Sequence, residues 1–461
     1  MSATLSQQLA RFAVGLRLDE LPGPVVEMAR KCLLDWMGSV LAGSTQPPAA
    51  MARRYLEVLG GRPQASLFGT GLRTGVGQAA FGNGLAAHIV EMDDLHRPST
   101  LHAAAPVISA AVACAEQTGA SGRRLLEAVV VGYEVACRIA EAVNPSHYRF
   151  WHNTATCGTF GAAAAAAKVL GLGEEAFAHA LGSAGSQAAG LWEFMRDGAM
   201  TKHLHTGQAA LNGVTAAYLA REGFTGASAI LEGEKGFFRA MAQQADPSRV
   251  TDGLGSRFAI LENSFKLYPC CGHTHSAIAA ALWLRQAYGL EASRIRAVHV
   301  RTYRAALEVA SHEEPRTPYE AKFSLVYTVA AALARGRLGL EEFDPESLRD
   351  PAVEQVRRCT RAGWDAECEQ AYPRRWMAVV EVELADGQRL QHRVDRVPGE
   401  DGAAVSMQEL EAKFRSMLRW ACSRAPQSAG HLMALENFPG LVQRVEELPD
   451  LGELSRLALA A

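Results

Sequence analysis

The sequence predicts a mainly α-helical protein with a large helical bundle and a smaller α+β domain. Two observations support this fold class. Alanine-rich segments with apolar residues every three or four positions occupy residues 1–262, whereas the alternation of apolar and polar residues that is typical of strands appears only after residue 266. The chain has 461 residues and 48% of them are apolar, which is enough to build the cores of two or three domains.

Four segments of the first part predict helices. Pro22 and Pro24 precede the first, over residues 25–41, and a second follows over residues 121–142. A third helix is expected from a start at Gly158 through residues 161–172, and a fourth over residues 206–219. The third contains six consecutive alanines, and because small side chains let helices approach closely, we expect it in the middle of the bundle.

The second part predicts strands as well as helices. Alternating residues predict strands over 296–303 and 376–384, and an amphipathic helix is expected over 320–333. The pair Asp386 and Gly387 predicts a hairpin that continues into a strand over 389–394. We therefore expect an α+β domain over residues 266–400 with a polar linker at 398–402. Residues 403–461, with helices over 407–421 and 430–447, should rejoin the bundle.

Charge and composition exclude several classes of protein. The 46 Lys and Arg nearly balance the 49 Asp and Glu, which leaves a net charge of -3 and no basic field for nucleic acid. No apolar stretch reaches the ~18 residues of a membrane span, and the first residues lack a secretory signal. The nine cysteines show no extracellular disulfide pattern. We expect a cytoplasmic protein with reduced thiols that binds neither nucleic acid nor membrane.

The richest segment in reactive groups spans residues 91–102. It contains Glu91, Asp93, Asp94 and His102 beside a second histidine, and it follows an apolar helix as a loop. Loops on rigid scaffolds often hold catalytic groups. A charged turn exposed to solvent explains the same residues equally well at this stage.

Three further residues are candidates that have simpler explanations. Lys202 lies near a helix N-terminus, where it could hold a carboxylate, but a surface lysine beside a capping Thr206 explains it too. His152 precedes a helix, where a neutral imidazole can act as a base, although a core histidine is commoner. Tyr327 is by default a core tyrosine.

The segment 266–275 has an unusual composition. Cys270, Cys271, His273 and His275 suggest zinc ligands, but adjacent cysteines rarely bind one ion and no second ligand pair lies nearby. The alternative is a turn that places Lys266 and one or two histidines at the edge of a pocket. The sequence contains neither a dinucleotide-binding glycine pattern nor a nucleophile elbow.

Taken together, these segments resemble the MmgE/PrpD family, which includes 2-methylcitrate dehydratases, cis-aconitate decarboxylases and iminodisuccinate epimerases. The resemblance covers almost the whole chain. It is carried by Gly82, Asn83 and Gly84, by Asp93 and Asp94 through His102, by His152 with 158–161, by Thr201 and Lys202 with 205–207, by Lys266 with Tyr268 and Pro269, and by 321–324 with Tyr327.

The resemblance implies a homodimer whose subunits have a helical bundle and a smaller lid, with an active site in the cleft between them. It also implies that no metal or organic cofactor is needed. Four positions depart from the pattern of the family, and they favour a relative that acts on another small di- or tricarboxylate. The matching site positions are Glu91, Asp94 or its neighbour Leu95, His102, His152, Lys202, Lys266, Cys271 and Tyr327. The departures are Glu91 for aspartate, Leu95 for threonine, Cys271 for histidine and Ala103 for the proline that usually follows the histidine.

The resemblance also implies a mechanism that passes through a carbanion or enolate. Lys202 and Lys266 are expected to hold substrate carboxylates, and His102 is the first choice for proton transfer, oriented by Asp93 or Asp94. His152 would serve as acid or polariser, and Tyr327 would donate a hydrogen bond. The sequence thus predicts a cofactor-independent lyase for a 2-methylcitrate-like or aconitate-like acid. The alternatives are an epimerase of a substituted dicarboxylate and a carboxylate-binding protein that has lost catalysis.

Overall fold

The computed structural model describes residues 3–396, 399–400 and 404–459, and within them the chain is mainly helical with a few small sheets. The mainly helical class is therefore confirmed. The chain divides into two compact units. Unit 1 comprises Met1–Ile89, Asp93–Phe265 and Asp401–Ala461, and unit 2 comprises Val90–Met92 and Lys266–Glu400. The linker predicted over 398–402 lies largely outside the described residues.

The first part of unit 1 is a set of helices with short strand pairs between them. β1 pairs with β2 and β3 pairs with β4, both antiparallel. Because β1, β2 and β3 lie within residues 1–262, the expectation that this segment is purely helical is wrong for these short stretches. The elements are α1 Leu5–Gly15, α2 Gly23–Ser44, α3 Pro47–Leu59, β1 Ala65–Leu67, β2 Leu72–Thr74, α4 Val76–Ala87, β3 Leu95–His96, α5 Ala104–Thr118, α6 Gly122–Val143, α7 Asn153–Leu170, α8 Glu174–Gly185, α9 Thr201–Arg221, α10 Phe237–Met241 and β4 Asn263–Ser264.

Helix α7 lies in the middle of unit 1, as the alanine run predicts. It packs against α5, α6, α8 and α9, and residues 162–167 are fully buried. The helices approach so closely that a Cβ on Gly161 would lie 2.6 Å from Cβ of Ala136, and one on Gly213 would lie 2.5 Å from Cβ of Ala162. Small residues on α7 therefore set the spacing of the neighbouring helices.

Two helices begin earlier than the sequence predicts. The expected start of α7 at Gly158 is wrong, because the helix begins at Asn153 after the extended His152, and Gly158 lies inside it. Similarly, α9 begins at Thr201. Thr206 does not cap it, because its Oγ1 donates to the carbonyls of Gly84 at 2.8 Å and His203 at 2.9 Å.

Unit 2 contains a four-stranded sheet in the order β6-β5-β7-β8. β5 runs parallel to β6 and antiparallel to β7, and the β7–β8 hairpin pairs Val380 with His392 across the predicted Asp-Gly turn. The three predicted strands are confirmed. The elements are α11 His275–Tyr288, β5 Ile295–Thr302, α12 Arg304–Val309, α13 Pro318–Lys322, α14 Leu325–Arg335, α15 Pro351–Arg358, β6 Thr360–Trp364, α16 Ala366–Ala371, β7 Ala378–Leu384 and β8 Arg389–Val394.

The helix predicted over 320–333 is broken into α13 and α14. Ser324 causes the break, because its side chain accepts a hydrogen bond from the backbone N–H of Tyr327 at 3.0 Å and caps α14.

The C-terminal helices are part of unit 1. α17 packs on α2, where Nζ of Lys413 lies 2.5 Å from Oδ1 of the buried Asp35. A single helix over 430–447 is wrong, because the chain turns after α18 and restarts with Pro439 in the first turn of α19. No described helix combines the length and apolar character needed to cross a lipid bilayer. The elements are α17 Met407–Arg424, α18 Ala429–Met433, α19 Phe438–Gln443 and α20 Gly452–Leu459.

Candidate active site

Two histidines share one buried carboxylate inside unit 1. His88 follows α4, and Asp93 and His102 lie in the loop that leads to α5. Nδ1 of His88 lies 2.6 Å from Oδ2 of Asp93, and Nδ1 of His102 lies 3.5 Å from the same oxygen. Because an ionised carboxylate only accepts hydrogen bonds, Nδ1 of His88 carries the proton. We call these three residues the His–Asp cluster.

The imidazole of His102 is held in one orientation by the backbone. Its Nδ1 donates to the carbonyl oxygen of Asp94 at 2.6 Å, and its backbone N–H donates to Oγ1 of Thr154 at 3.1 Å. In the neutral ring the proton therefore sits on Nδ1, and Nε2 is the basic nitrogen. The His102 side chain is 13% exposed whereas that of Asp93 is fully buried, which suits a group that exchanges protons with a bound molecule.

A second pair of imidazoles lies beside the His–Asp cluster. His152 precedes α7, and its ring stacks on that of His88 with centroids 5.6 Å apart. Nδ1 of His152 lies 3.2 Å from Nδ1 of His205, so one of these two nitrogens donates to the other. The Trp192 ring packs against His152 with centroids 4.7 Å apart. Four imidazoles are thus contiguous in this part of unit 1.

Burial sets the electrostatics of these imidazoles. Desolvation, and after it the nearby imidazoles and the ammonium of Lys202, lowers the pKa of His152 well below its ordinary 6.5. Burial likewise lowers the pKa of His205 to about 4. Lys202 lies in the first turn of α9 and is buried. Neutral imidazoles beside one ammonium can bind an anionic group and move protons at neutral pH.

Asp94 contributes its backbone to the cluster and its side chain to the surrounding structure. Oδ2 of Asp94 accepts from the hydroxyl of Tyr133 at 2.7 Å, and Oδ1 accepts from the backbone N–H of Ala104 at the start of α5 at 3.1 Å. Burial raises the pKa of Asp94 to about 7. Of the two predicted orienting carboxylates, only that of Asp93 therefore contacts an imidazole of the His–Asp cluster directly.

Two of the predicted substrate-binding residues form an ion pair in unit 2. Nζ of Lys266 lies 2.9 Å from Oε2 of Glu91, and both side chains are buried. The backbone of Glu91 has φ of 58°, in the left-handed region that a side chain rarely adopts. The ammonium of Lys266 thus already faces a carboxylate, and a bound anion would compete with Glu91 for it.

The remaining candidates of the segment 266–275 contact aromatic rings and backbone groups. Cys271 is buried, and its backbone N–H donates to the carbonyl of Lys322 at 2.9 Å. The His273 ring stacks on Trp376 with centroids 4.1 Å apart, and Nε2 of His275 lies 3.3 Å from the carbonyl of Cys270. The structure does not gather these side chains around one point.

Tyr327 lies in the interior of unit 2. Its ring is 2% exposed, and its hydroxyl donates to the carbonyl oxygen of Glu342. Burial raises the pKa of Tyr327 above its ordinary value. In this structure the hydroxyl is engaged with the backbone, as the core interpretation of the sequence expects, and a role in hydrogen bonding to substrate stays a prediction.

Sequence reasoning singled out neither His88 nor His205 as site residues. The sequence position of each of these histidines could have indicated it. His205 follows Lys202 by three residues, so the two side chains share a helix face. His88 ends an apolar helix immediately before the reactive loop. Trp192 is a third residue that sequence reasoning did not single out. Nothing in the local sequence indicates it, because its contact with His152 depends on how the chain folds back.

Comparison with protein families matches nearly the whole chain. The MmgE/PrpD N-terminal domain matches residues 7–250, and the MmgE/PrpD C-terminal domain matches residues 268–435.

Comparison with characterised proteins finds relatives of full length. The chain is 28% identical over 437 residues to cis-aconitate decarboxylase-like protein oryM of Aspergillus oryzae (strain ATCC 42149 / RIB 40), covering 90% of each chain. It is 27% identical over 476 residues to cis-aconitate decarboxylase of Homo sapiens, covering 99% of this chain and 94% of the relative. It is also 27% identical over 422 residues to cis-aconitate decarboxylase of Aspergillus terreus, covering 86% of this chain and 85% of the relative.

Proposed function

The chain belongs to the MmgE/PrpD family, and we propose that it is a lyase that acts on an aconitate-like polycarboxylate and needs no organic cofactor. The observation that supports this proposal is the His–Asp cluster beside His152, His205 and Lys202 in unit 1. The relatives support the same chemistry, because each is a cis-aconitate decarboxylase or a protein similar to one.

The proposed reaction uses the cluster to move one proton. When a carboxylate leaves as CO₂, the carbon–carbon bond breaks and its electron pair stays on carbon, delocalised toward a neighbouring carboxylate. Lys202 stabilises that negative charge, and Nε2 of His102 in its imidazolium form delivers the proton to carbon. Asp93 favours the imidazolium, since its carboxylate oxygen lies 3.5 Å from Nδ1 of His102. Dehydration would use the same groups: Nε2 of neutral His102 takes the proton from carbon, and the resulting imidazolium protonates the departing hydroxyl, which leaves as water.

Lys266 is proposed to bind substrate, whereas Lys202 is proposed to stabilise the negative charge of the reaction. It would contact a second carboxylate of the substrate only in competition with Glu91, whose oxygen lies 2.9 Å away. Replacing Glu91 by Gln removes that competitor while keeping the length of the side chain. If Lys266 binds substrate, Glu91→Gln should lower KM at neutral pH, and the effect should vanish when Lys266 is also replaced by Met.

A second candidate function is the epimerisation of a substituted dicarboxylate. Two-base epimerisation needs two separate groups that carry protons. His102 and His152 are candidates for these groups, because the ring of each packs against the ring of His88. Incubation in deuterated water separates the two functions. An epimerase exchanges the α-hydrogen of its substrate with no loss of CO₂ or water, whereas a lyase releases one of them.

The decisive experiment is turnover of the purified protein with cis-aconitate, 2-methylcitrate, citrate and iminodisuccinate, followed by NMR. For the substrate that reacts, His102→Ala should lower kcat by about 10²–10⁴-fold, because proton transfer by a positioned group contributes that factor.

A matched control is His96→Asn, which replaces another buried histidine, at the end of β3, whose Nδ1 contacts Oγ of Ser99 at 2.7 Å. The control should keep kcat within about threefold per folded molecule, with folding checked by circular dichroism. Near-normal kcat in His102→Ala would remove His102 from the mechanism.

A further inference from the structure

We propose that the His–Asp cluster is a binding site for a divalent transition-metal ion of the zinc class, and that the bound ion inhibits the enzyme. Each of His88, Asp93 and His102 offers a donor atom, and the three atoms lie within 4.8 Å of one another. Two imidazoles and a carboxylate are a ligand set that zinc commonly takes. Across the described ranges this is the one group of at least three such side chains with that spacing.

Two of the separations between ligand atoms can be compared with those of a tetrahedral site. With metal–ligand bonds of about 2.0–2.1 Å, neighbouring ligand atoms in a tetrahedron lie about 3.3 Å apart. The separation of 3.5 Å between Nδ1 of His102 and Oδ2 of Asp93 already fits. The separation of 2.6 Å between Nδ1 of His88 and the same oxygen must open by about 0.7 Å. The proposal therefore requires the side chains of His88 and Asp93 to rotate apart by that distance when the ion binds.

A second observation points to a ligand at His88. Its ring is fully buried, yet Nε2 has no hydrogen-bond partner within the part of the chain that the structure describes. Buried polar atoms of folded proteins are normally paired. If the ring turns by half a rotation about its Cβ–Cγ bond, Nε2 takes the place of Nδ1 beside Asp93. Nε2 can then bind the ion, while Nδ1 keeps the proton and points away.

The proton balance of binding follows from the present hydrogen bonds. The ion replaces the proton that Nδ1 of His88 now donates to Asp93, and it replaces the proton that Nδ1 of His102 donates to the Asp94 carbonyl. In a neutral imidazole that proton moves to Nε2, so binding through Nδ1 leaves both rings neutral, releases no net proton from them and changes no oxidation state. Three protein ligands leave the fourth position open for water or a carboxylate.

The inhibitory effect rests on the proposed function, whereas binding does not. His102 is proposed to deliver its proton from the imidazolium form, and an imidazole that binds the ion through Nδ1 cannot form the imidazolium, because the ion and the one remaining proton occupy its two ring nitrogens. One equivalent of zinc should therefore abolish turnover, and a chelator should restore it.

Binding is tested without substrate. Protein freed of metal with a chelator is titrated with ZnCl₂ by calorimetry and with CoCl₂ by visible absorption, which reports tetrahedral coordination. We expect one equivalent to bind, and His88→Ala and Asp93→Asn each to weaken binding by at least about tenfold. His205→Ala is the matched control, because it removes an imidazole of the neighbouring pair, and it should leave the affinity unchanged. Circular dichroism checks that each variant is folded.

Each result decides between the alternatives. The inference is overturned if the wild type shows no saturable binding, if His88→Ala and Asp93→Asn both bind as the wild type does, or if His205→Ala alone loses the ion. If the protein binds zinc but turns over none of the acids, the metal site is supported and the proposed function is contradicted. Turnover that one bound equivalent of zinc does not reduce would overturn the inhibition.

Discussion

His147 makes unit 1 less stable in acid, and the size of this effect follows from the structure. The buried ring bridges two segments: Nδ1 donates to the carbonyl of Met241 at 2.9 Å, and Nε2 accepts from Oγ1 of Thr156 at 2.7 Å. This arrangement needs the neutral ring, and burial lowers the pKa of His147 from 6.5 to about 4. Thr156 lies on α7 four residues after His152, so the same contact supports the helix that positions the candidate site.

The sign follows from proton binding in the two states. The unfolded chain protonates His147 near pH 6.5 and the folded chain only near pH 4, so lowering the pH through this window favours unfolding. At 1.36 kcal/mol for each tenfold difference in proton affinity, the change from pH 7.5 to pH 5.5 removes about 1.3 kcal/mol of stability through this residue. His147→Asn keeps a donor for the carbonyl of Met241 and cannot titrate.

The assay is urea unfolding of the wild type and His147→Asn at pH 7.5 and pH 5.5. The wild type should lose about 1.3 kcal/mol more than the variant on acidification. Comparing two pH values in two proteins cancels the constant cost of the substitution and the titration of every group the proteins share. Equal losses in both proteins, within about 0.5 kcal/mol, would refute the reasoning.

Three further predictions concern the packing and the buried charges of unit 1. Gly161→Ala should destabilise the protein by about 1–3 kcal/mol, since its Cβ would lie 2.6 Å from that of Ala136. Lys413→Ala should cost about 3–5 kcal/mol, because it leaves the carboxylate of Asp35 buried without its ion-pair partner, and the double variant that also replaces Asp35 by Ala should recover part of this loss. The pKa of Asp94 is raised to about 7, so from pH 5 to pH 8 the wild type should lose about 2–3 kcal/mol more stability than Asp94→Asn.

Thermal and urea unfolding measure all three effects. Gly15→Ala is the control for Gly161→Ala, because no atom lies within 4 Å of its added Cβ, and it should be neutral or slightly stabilising. Equal stabilities of the two alanine variants would contradict the close packing of α6 and α7. If the double variant is no more stable than Lys413→Ala, the prediction for the Lys413–Asp35 ion pair is contradicted. If the stabilities of the wild type and of Asp94→Asn change in parallel with pH, the prediction for Asp94 is contradicted.

Elements that depend on local sequence were predicted from it. The helices α2 and α6 follow from apolar residues at helical spacing, and the β7–β8 hairpin follows from an Asp-Gly turn between two alternating runs. Helix ends were less predictable. Helix α7 starts five residues before Gly158, and a Cβ on that glycine would lie 2.8 Å from Cγ of Pro106 in α5, so Gly158 serves close packing inside the helix and does not mark its start.

The residues of the candidate site were predicted more fully than their contacts. The sequence by itself placed His102, His152 and Lys202 among the reactive groups, because unusual residue types stand out locally in an alanine-rich chain. Only the tertiary structure decided that His88 and His102 share the carboxylate of Asp93, and that Lys266 faces Glu91 across 175 positions of sequence. The physical reason is that secondary structure follows from interactions within a few residues, whereas hydrogen bonds and ion pairs between distant side chains depend on how whole helices and loops pack.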